Sequence, residues 1–384
     1  MSEERIPDMD LFKINNREED AKEHKFYTAS QFRLIWYKLR KHKLALVGIS
    51  ILLVFYISAI FAPFFSTQNP EKYFEDNLLA PPHKISFIDE NGFSIKPFYY
   101  EMTKKRNPDS LLLEYTYDKS TKHYISFFVK GYDYKLFGIF PGDRHFIGNR
   151  EQAPFFLFGT DALGRDLFSR NIYAARISLS IGIVGVMFTF ALGCIIGGIS
   201  GFYGGIPDII IQRIIEFLLS IPTLPLWMAL SAALPREWPQ IKVYFIITLI
   251  LSISGWTGLA RVVRGKLISM RNEDYITAAK LYGCSDRRII LRHMLPGFFG
   301  YLIVSLFMSI PGMILGETAL SFLGLGLRSP VVSWGVLLSQ AQNIRTIILY
   351  PWIMIPGIFV VITVLAFNFL GDGLRDAADP YREV

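Results

Sequence analysis

Six stretches of this 384-residue chain contain no lysine or arginine: Leu44–Phe64, Ile177–Phe202, Ile214–Pro235, Val243–Ala260, Phe298–Leu320 and Ile347–Leu374. All 40 basic residues lie outside them, and each stretch is 18–28 residues long and rich in Ile, Leu, Val and Phe. A bilayer core of ~30 Å needs ~20 helical residues at ~1.5 Å rise, so each is long enough to cross. Buried helices of a soluble enzyme do not supply six such runs in one chain. The sequence therefore predicts an all-α integral membrane protein with transmembrane helices at about 44–64, 177–202, 214–235, 243–260, 298–320 and 347–374. Only 19% of residues are charged and 51% are hydrophobic, which excludes disorder. The two cysteines, Cys194 and Cys284, have no zinc-type spacing, so neither a disulfide scaffold nor a metal centre is expected.

Orientation follows from the basic residues beside short loops. Arg33, Lys38, Arg40, Lys41 and Lys43 precede the first span, placing the N-terminus inside; six crossings return the C-terminus inside. The inner loop 261–297 then carries eight basic residues against three acidic, and the outer loop 235–242 only Arg236 and Lys242. The formal charge of +7 is thus concentrated on the inner face, and no nucleic-acid partner is expected. No cleavable signal peptide is expected in the polar first 30 residues.

Four regions follow. Residues 1–43 are a cytoplasmic tail ending in an amphipathic helix (Phe32, Leu34, Ile35, Trp36, Leu39) capped by Ser30. Residues 44–64 are the first span. Residues 65–153 are a small, Tyr-rich, β-rich extracytoplasmic insertion, with strands predicted at Leu112–Tyr117 and His123–Lys130 around a polar turn Asp118–Lys122. Residues 154–384 hold five further spans and the loop 261–297. Gly193, Gly197, Gly201 and Gly205, each four apart, form a flat stripe predicted to pack against a neighbouring helix. Pro222, Pro225, Pro311 and Pro356 are expected to kink their spans.

Several chemistries are missing. There is no P-loop pattern, no HExxH and no GxSxG, so no catalytic residue, cofactor or metal ligand is assigned. Glu317 is the one strongly interior carboxylate of the spans. At 19 residues beyond Phe298 it lies ~28 Å along its helix, near the outer surface, where an outer gate or a capping role is expected.

The inner loop is the most informative segment. Asp274-Tyr275-Ile276-Thr277-Ala278-Ala279-Lys280-Leu281-Tyr282-Gly283 reads as a short helix with acid at its start and a left-handed glycine stop. A second helix follows, capped by Ser285, carrying Ile289, Arg292, His293 and Leu295, and expected to stop at Pro296. Ala278 and Ala279 make the first helix slim, and Tyr275, Ile276 and Leu281 give it anchors for a groove in another protein.

This loop resembles the EAA motif of bacterial ABC-importer permeases, with Thr277 standing where that pattern has Glu. Three further stretches sharpen the resemblance to the C-type permeases of the oligopeptide/dipeptide/nickel importers: Lys43–Gly48, Phe158-Gly159-Thr160-Asp161-Ala162-Leu163-Gly164-Arg165-Asp166, and Leu320–Gly326 with Ser333-Trp334-Gly335. Together they cover about 40–64 and 155–384, leaving the tail and most of 66–153 outside. The resemblance implies a type I ABC importer permease fold in the bacterial cytoplasmic membrane. It also implies a homologous B-type permease partner, two cytoplasmic ATPase subunits and an extracytoplasmic peptide-binding protein, with oligopeptides or dipeptides as cargo. Asp274, Tyr275, Ala278, Ala279, Gly283, Ile289, His293, Leu295 and Pro296 would form the ATPase-coupling surface. Two other readings remain for six spans: an ion-coupled secondary carrier, which the scarcity of intramembrane charge disfavours, and a membrane scaffold recruiting partners through the insertion.

Overall fold

The computed structural model describes residues 31–378, apart from 90–91, 107, 109–112 and 152. Ser30, the expected cap, and Leu112 lie outside the described residues. A helix α1 (Gln31–Lys41) leads into α2 (Lys43–Ile60), and a short α3 (Ala62–Phe65) opens the insertion. Strands β1 (Ser86–Asp89), β2 (Gly92–Arg106), β3 (Leu113–Leu136) and β4 (Phe140–Asn149) follow. The rest is helical: α4 (Leu167–Tyr203), α5 (Gly205–Ser220), α6 (Thr223–Ala232), α7 (Gln240–Met270), α8 (Asp274–Leu281), α9 (Phe299–Phe322), α10 (Trp334–Leu338), α11 (Ile344–Leu349) and α12 (Ile355–Ala378).

Among the described residues, five helical segments are long and apolar enough to cross a membrane: Lys43–Ile60, Leu167–Tyr203, Gln240–Met270, Asp286–Phe322 and Pro351–Ala378. The expected span 214–235 is not one straight helix. It belongs to the pair α5 and α6, which bend by 86° about Ile221 and Pro222 and make a sixth crossing only if counted together. The cause is local: Pro222 has no amide proton to donate, and the residue before it is driven to extended backbone, here φ −93° and ψ 126° at Ile221.

Helices also outrun the charge-free stretches. α4 starts ten residues before Ile177 and takes Arg170 and Arg176 into its first turns. Arg176 donates from Nε to Ala59 O (2.6 Å) and from Nη2 to Ile60 O (2.9 Å), satisfying the open carbonyls at the end of α2. An absence of charge marks where lipid begins, not where a helix does.

α4 and α7 run side by side in parallel, Ser180 beside Tyr244 at one end and Gly201 beside Arg264 at the other. The glycine stripe makes this approach possible. A Cβ on Gly197 would lie 2.5 Å from Ala260 O, one on Gly201 2.7 Å from Arg264 O, and one on Gly193 2.8 Å from Leu259. Gly205 does not share this face. α4 ends at Tyr203, Gly204 and Gly205 take φ of 65° and 57°, and nothing stands within 4 Å of where a Gly205 Cβ would be. Gly205 is a turn residue, because two successive left-handed positions break the four-residue periodicity. α12 packs against α2 and α9, with Gly48 of α2 facing the Ala366 carbonyl.

The insertion is one antiparallel sheet in the order β1-β2-β3-β4. The two strands predicted around Asp118–Lys122 are a single long strand, β3. Its polar segment is a bulge: the partners of Tyr100 and Glu101 on β2 jump from Lys122 to Asp118. Asp118 Oδ1 accepts from Ser120 N (2.9 Å) and Ser120 Oγ (2.7 Å), which turns the backbone locally without reversing it.

The sheet is fastened to the helices through buried aromatic contacts. His83 N donates to Phe156 O at 2.9 Å, and its Nδ1 accepts from Phe156 N at 3.0 Å. Burial depresses His83 from 6.5 to about 4. Between those values the unfolded chain binds a proton that the folded one refuses, so this contribution, about 3 kcal/mol in size, is present above pH 6.5 and is lost as pH falls towards 4. We expect amide exchange in β2, corrected for intrinsic rates, to accelerate between pH 6.5 and 4. In His83→Gln that extra acceleration should be absent; equal slopes in both proteins would contradict the assignment.

Candidate functional site

The loop 271–298 stands at the end of the molecule opposite the sheet. α8 begins at Asp274 and closes with a Schellman motif: Cys284 N donates to Ala279 O (3.1 Å) and Gly283 N to Lys280 O (2.9 Å). Gly283 sits at φ +73°, where a side chain is strained.

Ile276 is fully buried, and with Ile289, Ile290 and Met294 it packs on Leu259, Val263 and Leu267 of α7 and on Cys194 of α4, with Ala279 and Leu295 at the edge. Against this seat the outer face is open. Asp274, Tyr275, Thr277, Ala278 and Lys280 all face solvent, while Leu281 and Tyr282 are 85% and 90% exposed. Apolar groups held this far out on a closed, well-seated turn form a knuckle suited to a groove.

Pro296 does not end the second helix. A turn at Asp286–Arg288 passes into a wide π segment, Ile289–Met294, then a 3₁₀ segment, Leu295–Phe298, and directly into α9. The wide turn, in which Leu295 N reaches back to Ile290 O, absorbs the clash that a proline ring causes in a regular helix. His293 is half-buried and Pro296 exposed on this path. The second half of the loop, from Asp286, and α9 are therefore one continuous rod.

Beside the loop, Asp208 of α5 receives Arg264 of α7 through two bonds, Nε–Oδ1 at 2.5 Å and Nη2–Oδ2 at 2.6 Å. Ser200 of α4 donates to the same carboxylate. This clamp, holding three helices at one point, escaped the reading of the sequence. Its signal was an aspartate placed between two long apolar runs, which needs a paired cation.

At the sheet end, Glu317 is fully buried inside the protein. Its Oε1 accepts from Ser321 Oγ (2.7 Å) and Ser333 Oγ (2.6 Å), and its Oε2 from Ser178 Oγ (3.4 Å). It thus joins α9 to α4 and to the turn before α10. Ser178 in turn accepts from Trp334 N (3.1 Å), explaining why Ser333-Trp334-Gly335 occurs as a block. Glu317→Ala would leave buried hydroxyls without their acceptor, at about 1–3 kcal/mol for each group left unsatisfied. We expect the full chain in detergent to melt several degrees lower, and Glu317→Gln, which keeps an acceptor, to recover most of the loss. An alanine variant melting like wild type would contradict this.

Phe158–Asp166 makes the matching joint at the head of α4. Asp161 Oδ2 meets Arg165 Nε at 2.8 Å and Arg170 Nε at 3.5 Å, all three buried. Asp166 caps α4 by accepting from Ser169 N (2.9 Å) and also receives Thr67 Oγ1 (2.9 Å). Burial raises Asp166 from 3.8 to about 6.

Five long apolar helices with a bent sixth pair, braced by buried polar joints and carrying a knuckle at one end, define a polytopic helical membrane protein. The family described as "Binding-protein-dependent transport system inner membrane component" matches residues 193–383, and "N-terminal TM domain of oligopeptide transport permease C" matches residues 30–82. A relative from Bacillus subtilis named "Dipeptide transport system permease protein DppC" is 32% identical over 380 residues, 98% of this chain and 93% of that protein. "Oligopeptide transport system permease protein OppC" of Haemophilus influenzae is 41% identical over 224 residues, 58% of this chain and 70% of that protein. The chain belongs to the OppC/DppC-type permeases of binding-protein-dependent ABC transporters, multi-pass inner-membrane proteins that work with ATPase and binding-protein partners.

The alignment with the Bacillus relative spans nearly all of this chain, and one with a Lactococcus lactis DppC covers 91% of it at 30% identity. Among solved structures, the inward-facing MetNI methionine ABC transporter is similar over 55% of this chain and 97% of that chain, at 17% identity and a TM-score of 0.42.

Proposed function

We propose that this chain is the C-type permease subunit of an ATP-driven importer of dipeptides or oligopeptides. The observation that carries the cargo class is the similarity, over 380 residues, to a relative named as a dipeptide permease. In this reading both termini face the cytoplasm and a homologous B-type permease forms the other half of the path. Two ATPase subunits bind from the inside, and a peptide-binding protein delivers cargo on the sheet side.

The knuckle on α8 enters a groove of an ATPase subunit, with Tyr275, Ala278, Leu281 and Tyr282 in contact and Gly283 fixing its shape. Movement imposed there passes through Ile289–Phe298 into α9, because the two form one rod. At the far end of that rod Glu317 and its serines latch α9 to α4 and α10, and opening the outer mouth releases the latch. Energy comes from the partner, since this sequence has no P-loop.

Gly283→Glu tests the coupling surface. It strains the left-handed closure and adds charge to the knuckle. Uptake of a labelled peptide and co-purification of the ATPase subunits should both fall sharply. If both persisted at wild-type level, the assignment of loop 274–296 would be wrong.

A further inference from the structure

The β3–β4 hairpin ends in Leu136-Phe137-Gly138-Ile139-Phe140. Both central residues of its turn have positive φ, 54° at Phe137 and 73° at Gly138, and Ile139 N donates to Leu136 O at 3.1 Å. A turn of this geometry favours Asn-Gly or Asp-Gly, and a bulky side chain at the first position is strained by about 1–3 kcal/mol. Phe137 is 60%, Ile139 73% and Phe140 62% exposed. The fold thus spends backbone strain to hold apolar side chains outward, where a polar turn would suit water better.

The neighbours fix the height of this tip. The Phe137 ring lies 6.2 Å from the ring of Phe61, the residue that closes the first membrane-spanning helix. Lower on the hairpin, Phe128 and Phe146 pack on Phe64 of α3. The level of Phe61 is marked independently by Arg176, whose guanidinium binds the last carbonyls of that span and is the last cation of α4 before its apolar run. A guanidinium at the end of a span sits at headgroup depth. The exposed tip lies alongside, at the boundary between headgroups and acyl chains.

We infer that the tip of the β3–β4 hairpin dips into the lipid leaflet on the sheet side and anchors the insertion to the bilayer through Phe137, Ile139 and Phe140. Aromatic and aliphatic side chains at this depth gain from leaving water while their backbone stays hydrogen-bonded within the hairpin. Lys135, one residue before the turn, places a cation towards the lipid phosphates. The inference rests on the multi-pass membrane assignment and not on the identity of the cargo.

The test uses the full chain in phosphatidylcholine/phosphatidylglycerol vesicles, with Cys194→Ala and Cys284→Ala and a nitroxide attached at Ile139→Cys. Collision rates with oxygen and with a water-soluble nickel chelate report depth. The lipid-facing Val54→Cys and the solvent-exposed Lys105→Cys of β2 give the two limits, and Phe140→Cys repeats the measurement at a second tip position. The expected result is that both tip labels prefer oxygen over the chelate, as at Val54, and that Phe137→Asn, which suits the turn's backbone, shifts the Ile139 label towards the chelate. Tip labels that behave as at Lys105 would overturn the inference. Labels shielded from both reagents would also overturn it, in favour of a protein partner covering the tip.

Discussion

Replacing Leu281 and Tyr282 together by aspartate is expected to reduce peptide uptake about a hundredfold or more while leaving the chain folded in the membrane. Both side chains project almost wholly into solvent, so nothing inside this chain loses packing when they change. Each is an apolar group of the kind that fills a pocket in a partner, where truncation costs about 2 kcal/mol or more and a charge costs further. Two such losses account for the expected weakening. Ile276→Asp supplies the contrast. It buries a charge in the seat formed with Ile289, Met294, Val263 and Leu267, and should lower the melting temperature as well as uptake. If the Leu281/Tyr282 double variant transported at the wild-type rate, the knuckle would not be a docking surface.

Gly197→Leu is expected to prevent accumulation of folded protein. The new Cβ alone would stand 2.5 Å from Ala260 O and 2.8 Å from Ala260 Cα, both backbone atoms that no rotamer change can move. α4 and α7 would have to separate along the same seam that carries Gly193 and Gly201, undoing the Ser252–Gly185 hydrogen bond of 3.0 Å on the way. Overpacking costs about 1–3 kcal/mol where side chains can yield, and more where they cannot. Gly258→Leu is the control: it lies in α7 with nothing within 4 Å of its Cβ position, and should be tolerated. Equal melting temperatures for the two variants would show that the stripe does not set the helix spacing.

The membrane architecture was legible because its cause is written residue by residue: lipid excludes charge, and six stretches lack it. The same signal misread helix ends, since Arg170 and Arg176 are carried in α4 by carbonyls far away in sequence, those of Pro70 and Ala59. A bend inside an apolar run changes no charge pattern, so the break at Ile221 was legible only from Pro222, the proline expected to kink that span. In the insertion, Asp118-Lys119-Ser120 has turn chemistry, yet pairing to β2 on both sides keeps β3 continuous and reduces the turn to a bulge. Tertiary pairing overrode local preference there.

In the loop, Gly283, Ile276 and the acidic start of α8 were readable from spacing, but continuity through Pro296 was not. A proline reads as a stop unless the π turn ahead of it is known. Glu317 shows the limit most clearly. Its distance along the helix placed it near one end, but its burial depends on Ser178 and Ser333, which are far from it in the chain.

The central claim is that loop 274–296 is where ATP-hydrolysing subunits grip this permease. A photo-crosslinking amino acid placed at Tyr282 in cells making the complete transporter tests it most directly. The expected result is a crosslink from position 282 to a P-loop ATPase subunit, lost in Gly283→Glu and absent when the probe is placed at Ile139 on the sheet side. Crosslinks from position 282 only to lipid or to other proteins, with the transporter still active, would contradict the account.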